Sequence, residues 1–241
     1  MAQSKEWFGQ YFESSYTKGN IITKEQYEKA CTGFDQVYKD LLPEDKQAKI
    51  LDVGCGTGHF LYYLKKKGYR HSFGIDISSQ QVGMCQSEGL LNSKVADVFY
   101  FLKDDEEKYD LISAHDVLEH FEKREILPLV QLIYRSLKPG GIFIVRVPNM
   151  SNPFSVDSRY RDMTHEVGFT GKSLYQTLWI GGFQKIKILP PKRIAVNSFR
   201  NFIRKLMVEL FHRLIRFAFF IQDFKVPENL DKTISAVSIK R

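Results

Sequence analysis

Lys49-Ile50-Leu51-Asp52-Val53-Gly54-Cys55-Gly56-Thr57-Gly58-His59-Phe60 is an apolar run that enters three alternating glycines and then returns to helix-forming residues. This pattern predicts a nucleotide-binding β-loop-α corner. Gly54, Gly56 and Gly58 can take backbone angles closed to other residues and let a ligand come close to the main chain. Asp52 adds a carboxylate to the corner. A phosphate-binding glycine loop works through helix-end N–H groups and avoids added negative charge, so the acid points to a ligand without phosphate, a cationic one included. The Lys-Ser/Thr of a P-loop is missing.

Downstream, a helix over about Phe60 to Lys67 stops at Gly68, and Ser72-Phe73-Gly74-Ile75-Asp76 reads as a second strand. Asp76 ends that strand, where a carboxylate can accept both hydroxyls of a ribose. Ser78, with Gln81 three residues on, is the better candidate for a helix cap. A helix from about Ser79 to Glu88 leads to a short strand, Lys94 to Val98, that contains Asp97. Tyr109 to Ala114 is the next buried strand, and His115-Asp116-Val117-Leu118-Glu119-His120 follows at its C-terminal end, the side on which open sheets bind ligands. Phe121 to Leu137 reads as a helix interrupted or kinked at Pro128. Lys138-Pro139-Gly140-Gly141 then predicts a turn into the strand Ile142 to Val147.

The first of these motifs, Leu51-Asp52-Val53-Gly54-Cys55-Gly56-Thr57-Gly58, resembles that of the class I S-adenosylmethionine-dependent methyltransferases. His115 to His120 is similar to their fourth motif and Leu137 to Gly141 to a later one, so the resemblance covers roughly residues 48 to 190. It competes with an NAD-type Rossmann site and with glycines that merely end a strand. The resemblance implies an α/β, Rossmann-like fold with a mainly parallel seven-stranded sheet and a terminal antiparallel strand. It also implies S-adenosyl-L-methionine as cofactor, held by Asp52, Gly54, Cys55, Gly56, Asp76, Ile77, Asp97, Val98 and His115, with Asp97 at the adenine end. Glu119 and His120 do not form the H-E-x-x-H zinc signature, and no metal is expected.

After the fifth strand, Asp157 to Glu166 packs ionisable and hydrogen-bonding groups into ten residues, the density expected of polar recognition. Arg159-Tyr160, Asp162, Thr164-His165-Glu166, Phe169-Thr170 and Ser173-Leu174 resemble a subset of methyltransferases of bacterial polysaccharide or lipopolysaccharide biosynthesis. That second resemblance implies O-methylation of a sugar or polysaccharide-precursor acceptor, with Arg159 as an anion clamp and Tyr160 as a stacking or hydroxyl contact. His120 or His165 would take the acceptor's proton, since a neutral imidazole can accept one. The alternatives are a small-molecule methyltransferase of secondary or quinone-type metabolism, and a cofactor-binding scaffold without catalysis.

The 241 residues fit one α/β domain with additions, residues 48–241, preceded by an N-terminal helical flank or lid over 1–47. The flank carries helical patterns near Trp7 to Tyr16 and over Thr23 to Leu42, with Thr23 and Gln26 spaced as a capping box. Tyr11, Tyr16 and Tyr27 are its candidate site contacts. Three scattered cysteines make no disulfide framework, and the start of the chain does not read as a signal peptide, so the cytoplasm is the expected location. An insert at about 197–222 sets ten apolar residues between Phe199 and Ala218 on one helical stripe and Arg200, Arg204, Lys205, Arg213 and Arg216 outside it. With a net charge of +7, this stripe is a candidate for contact with an anionic membrane surface, peripheral at its inner face, and equally for packing within the chain or in a homodimer. No nucleic-acid partner is expected, because no stacked aromatics on a sheet can be read.

Overall fold

The computed structural model describes residues 23–190 and 198–241. The helical pattern over Trp7 to Tyr16, with Tyr11 and Tyr16, lies outside them. Thr23 starts helix α1 (Lys24–Tyr38): its hydroxyl accepts the Gln26 N–H at 3.3 Å and its own N–H donates to Gln26 Oε1 at 3.0 Å, the reciprocal box that the sequence predicts. Tyr27, Cys31, Phe34 and Tyr38 form the buried face of α1. The last three pack with Ile50, Leu111 and Ile144, so the flank shares an apolar core with the sheet.

The sheet has seven strands, β1 (Ile50–Val53), β2 (Ser72–Asp76), β3 (Ser93–Val95), β4 (Tyr109–His115), β5 (Leu137–Pro148), β6 (Lys185–Ile188) and β7 (Thr233–Ile239), in the order β3-β2-β1-β4-β5-β7-β6. Pairing is parallel from β3 to β5, and only β7 runs antiparallel to its neighbours. The C-terminal strand is therefore the antiparallel one, and it lies between β5 and β6. Every residue of β1 is buried, as expected of a parallel strand covered on both faces. Strand order reverses between β1 and β4, which opens a crevice at their C-terminal ends, where the glycine loop and the His115 segment both begin.

The remaining helices are α2 (His59–Lys66), α3 (Ser79–Ser87), α4 (Val98–Leu102), α5 (Lys123–Ser136), α6 (Val156–Tyr160), α7 (Gly171–Ile180) and α8 (Phe199–Ile221). Three local expectations are corrected. Helix α5 runs unbroken through Pro128, because burial of Ile126, Leu129, Val130 and Ile133 outweighs the one main-chain bond that a proline removes. The Lys138 to Gly141 turn is absorbed into β5, with Gly140 at φ +78° and a register shift between Tyr109 and Leu111. Strand β3 ends at Val95, so Asp97 belongs to a helix start.

Helix α8 matches the expected span but not packing inside the chain. Of its 23 residues only Ile215 is buried, and Phe202, Ile203, Leu206, Met207, Leu210, Phe211 and Leu214 are all exposed.

Candidate active site

The glycine loop adopts the conformations that its glycines allow. Gly54, Gly56 and Gly58 have φ of +64°, +53° and +87°, and a Cβ on Gly54 would lie 2.4 Å from Val117 Cγ2. The loop is thus pressed against the segment that follows β4. The Gly56 N–H donates to Asp76 Oδ2 at 2.9 Å and the Ser78 N–H to Asp76 Oδ1 at 2.8 Å. Each carboxylate oxygen holds one main-chain donor and has lone-pair capacity for another, so the pair can accept two neighbouring hydroxyls. Burial pushes the Asp76 carboxyl up and the main-chain donors hold it down, so further donors from a ligand favour the charged form. A ribose diol fits this requirement.

Cys55 is buried behind the loop, its N–H donating to the Ile75 carbonyl at 2.9 Å, and Ile77 is exposed beside Asp76. Asp97 caps α4, Oδ1 accepting the Phe99 and Tyr100 N–H groups at 2.9 and 3.3 Å, while Val98 is buried. Tyr27 reaches the loop from α1: its hydroxyl donates to the Thr57 carbonyl at 2.7 Å and its ring is fully buried.

Asp52 lies below the loop, 2% exposed, and accepts the Ser113 hydroxyl at 2.7 Å. The sequence reading expects this carboxylate where a ligand arrives; the structure has it buried at the foot of the loop and bonded to Ser113 of β4. His115 Nδ1 is 3.8 Å from Asp52, too far for a hydrogen bond. The His115 ring lies among Phe60, Tyr38 and Phe34, with centroids 4.6, 5.3 and 5.4 Å away. Burial in this aromatic cage pushes its pKa down, so the ring is neutral near pH 7.

The next residue, Asp116, takes φ +58° and pairs with Arg146, whose Nε is 3.1 Å from both carboxylate oxygens and whose terminal nitrogen also bonds Oδ2. Burial works against the Arg146 charge, but Asp116 more than offsets it and raises the guanidinium pKa. Sequence reasoning missed this pair. Strand register supplies it, since His115 of β4 sits opposite Arg146 of β5.

After β4, a short 3-10 turn (Leu118–His120) brings His120 against the loop after β5. His120 and His165 lie edge to face with ring centroids 4.7 Å apart. His120 Nδ1 is 2.8 Å from the Thr164 hydroxyl, which donates to Asp162 at 2.7 Å, and His165 Nδ1–H donates to the Ser158 carbonyl at 2.8 Å. Burial and then the neighbouring His165 push the His120 pKa down. The loop is pinned to Glu119, whose carbonyl accepts the Glu166 and Val167 N–H groups at 2.7 and 3.1 Å.

Arg159 is already engaged. Its guanidinium, expected to clamp an anion, donates to the His165 carbonyl and, at 2.7 Å, to the Glu166 carbonyl, so it also braces its own loop. Tyr160 is 75% exposed, with the Arg159 guanidinium over its ring at 5.3 Å. The Glu119 side chain, which the sequence reading set aside, is buried beside the imidazole pair and forms with it a group able to hold a metal ion.

Comparison with known proteins bears on the family and the fold. Over 104 residues the chain is 31% identical to phosphoethanolamine N-methyltransferase of Plasmodium falciparum, a match covering 42% of the chain and 39% of the relative. Over 115 residues it is 26% identical to O-methyltransferase 3 of Dictyostelium discoideum, covering 43% of the chain and 26% of that relative. The matches thus span well under half of either curated relative. A SAM-dependent methyltransferase from Archaeoglobus fulgidus shares the fold with a TM-score of 0.66 at 21% identity, over 98% of this chain and 99% of that one. A methyltransferase-domain family model matches residues 22–187, more than half of the chain. The chain belongs to that methyltransferase-domain family and has the class I methyltransferase fold of these S-adenosylmethionine-dependent neighbours.

Proposed function

We propose that the chain transfers a methyl group from S-adenosylmethionine to a hydroxyl of a sugar-like acceptor, and that the acceptor oxygen meets the His120–His165 pair. The observation that carries this reading is the meeting of two imidazoles from separate loops, after β4 and after β5, with rings 4.7 Å apart. Both loops leave the C-terminal ends of their strands, and Val117 of the first touches the glycine loop.

When bound, S-adenosylmethionine supplies a methyl carbon on a positively charged sulfur that departs as a neutral thioether. Asp76 and the Gly54–Gly58 main chain hold the nucleoside end. An alcohol loses its proton as it is methylated, and His120 suits that task because its lowered pKa keeps it unprotonated near neutrality. Thr164 and Asp162 orient its ring, and Arg159 and Glu119 hold the loop that carries His165. The exposed ring of Tyr160, on the same loop as His165, would stack on a sugar ring. Phosphoethanolamine N-methyltransferase among the relatives supports a second reading, an amine acceptor, in which the same imidazole takes an ammonium proton.

Labelled S-adenosylmethionine incubated with hydroxyl acceptors (nucleotide sugars and polysaccharide precursors) and with amines separates the two. Hydroxyl products are expected, with turnover lowered roughly 10²–10⁴-fold in His120→Ala. Methylated amines alone, or parental turnover in both His120→Ala and His165→Ala, would reject the reading.

Helix α8 supports a further element, peripheral contact with an anionic membrane surface. Its exposed apolar residues are interleaved with Arg200, Arg204, Lys205, Arg213 and Arg216. Among the described residues no helix is long and apolar enough to cross a membrane, so α8 would lie in the interface plane.

A further inference from the structure

The Glu119 side chain has no place in the scheme above. It is 2% exposed, and neither of its carboxylate oxygens has a hydrogen-bond partner. Buried carboxylates are ordinarily paired, hydrogen-bonded or bound to metal. Among the described residues no cation forms an ion pair with it: Arg146 pairs with Asp116, and Arg159 donates to two main-chain carbonyls.

What faces Glu119 is the imidazole pair. Glu119, His120 and His165 each offer one ligand atom, and the three atoms lie within 4.8 Å of one another. The geometry points to a divalent transition-metal site made by Glu119, His120 and His165. Two imidazoles and one carboxylate are the donor set of zinc and of its first-row neighbours, whereas magnesium and calcium take oxygen ligands.

The surroundings are those of a metal site. The His165 Nδ1–H is bound by the Ser158 carbonyl, which in the neutral ring makes Nε2 the lone-pair nitrogen, and outer bonds of this kind orient metal-bound histidines. The Thr164 hydroxyl and Asp162 brace His120 in the same way, and Asp162 Oδ2, 3.8 Å from His165 Nε2, adds negative charge at the rim. Bonds of about 2.0–2.2 Å require ligand atoms roughly 3–4 Å apart, so the group closes by about an ångström of side-chain motion. Three protein ligands leave a coordination position open to a water or an acceptor oxygen. An imidazole lone pair holds a proton or a cation, so a seated ion would replace proton uptake by Lewis-acid polarisation of that oxygen.

The sequence offered no such reading, because Glu119 and His120 are adjacent and lack a second histidine on their own segment. His165 comes from another loop.

Binding is tested on the protein alone, so its failure leaves the methyl-transfer reading standing, and a failed acceptor assay leaves the site standing. The full chain, stripped with a chelator and desalted, is titrated calorimetrically with ZnCl2, MnCl2 and MgCl2, and melting is followed in parallel. One zinc per chain is expected, with manganese weaker, magnesium at least tenfold weaker than manganese, and a melting temperature that rises to a plateau at one equivalent of zinc. Glu119→Gln should weaken zinc binding at least tenfold while the metal-free variant melts no lower than the parent, since it removes only a buried carboxyl without partners. Should that variant fail to fold, His165→Gln should likewise weaken zinc binding at least tenfold. Absence of saturable zinc or manganese binding overturns the proposal. Zinc binding left at parental strength in the folded variants also overturns it, because the ion then sits elsewhere.

Discussion

Replacing Asp76 tests the cofactor corner most directly. Its two oxygens each hold one main-chain N–H, from Gly56 and Ser78, and each would accept one ribose hydroxyl. Hydrogen bonds to a charged group contribute about 1.5–3 kcal/mol each, so Asp76→Ala removes about 3–6 kcal/mol of binding if the two are independent. That is roughly a 10²–10⁴-fold rise in Kd. Asp76→Asn keeps one acceptor oxygen but turns an amide toward a main-chain donor, so a loss of about half that free energy is expected. The alanine variant also leaves the Gly56 and Ser78 N–H groups without their acceptor, at about 1–3 kcal/mol each where water cannot reach them. Titration with S-adenosylhomocysteine should therefore be run where circular dichroism shows the variant folded. A folded Asp76→Ala that binds within about threefold of the parent, a difference below 1 kcal/mol, would refute the ribose assignment.

Two further outcomes follow from the same geometry. Burial holds the His115 pKa below that of the unfolded chain, about 6.5, so the unfolded state takes up a proton first and stability is lost as pH falls below that value. His115→Phe should flatten the dependence of the urea midpoint on pH between about 7.5 and 5.5, by at most about 1.4 kcal/mol per pH unit, and an unchanged slope would remove His115 as its source. Flotation with anionic vesicles at low salt should carry the protein upward through α8, at about 1 kcal/mol for each basic residue near the surface, and added salt should release it. No flotation, or a dimer that forms through the α8 face in scattering measurements, would sink the lipid reading.

The conformation of the glycine corner was legible because its instructions are local. Three glycines at alternate positions demand positive φ, and Asp76 closes onto Gly56 across only 20 residues, within one β-loop-α-β unit. Capping chemistry was equally readable at Thr23 and Ser78, where side chain and partner lie three residues apart. At Pro128 and at the Lys138 to Gly141 turn, tertiary packing reassigned a local signal, whereas at Asp97 one local signal, a helix cap, was taken for another. A proline inside a strongly one-sided helix is carried along by the burial of its neighbours. An aspartate that reads as a strand end becomes a helix cap once two N–H groups follow it.

The cluster around His120 and His165 depends on contacts that no spacing rule reaches. His120 and Thr164 are 44 residues apart, and the main-chain bonds from Glu166 and Val167 to Glu119 decide where the second loop lies. Polar density between Asp157 and Glu166 announced a recognition loop, yet gave no means of separating bracing from binding. Hydrogen bonds within the loop show which of its residues brace it. Arg159 spends its donors on the loop's own carbonyls, and Thr164 and Asp162 orient imidazoles. Glu119 alone in this cluster is buried with both side-chain oxygens unmatched. A side chain that stabilised the fold would have been matched, and an apolar residue of similar size would serve packing better. The desolvation of Glu119 is therefore more consistent with ligand chemistry at the His120–His165 pair than with architecture, and it makes Glu119 the residue whose replacement by glutamine separates the two.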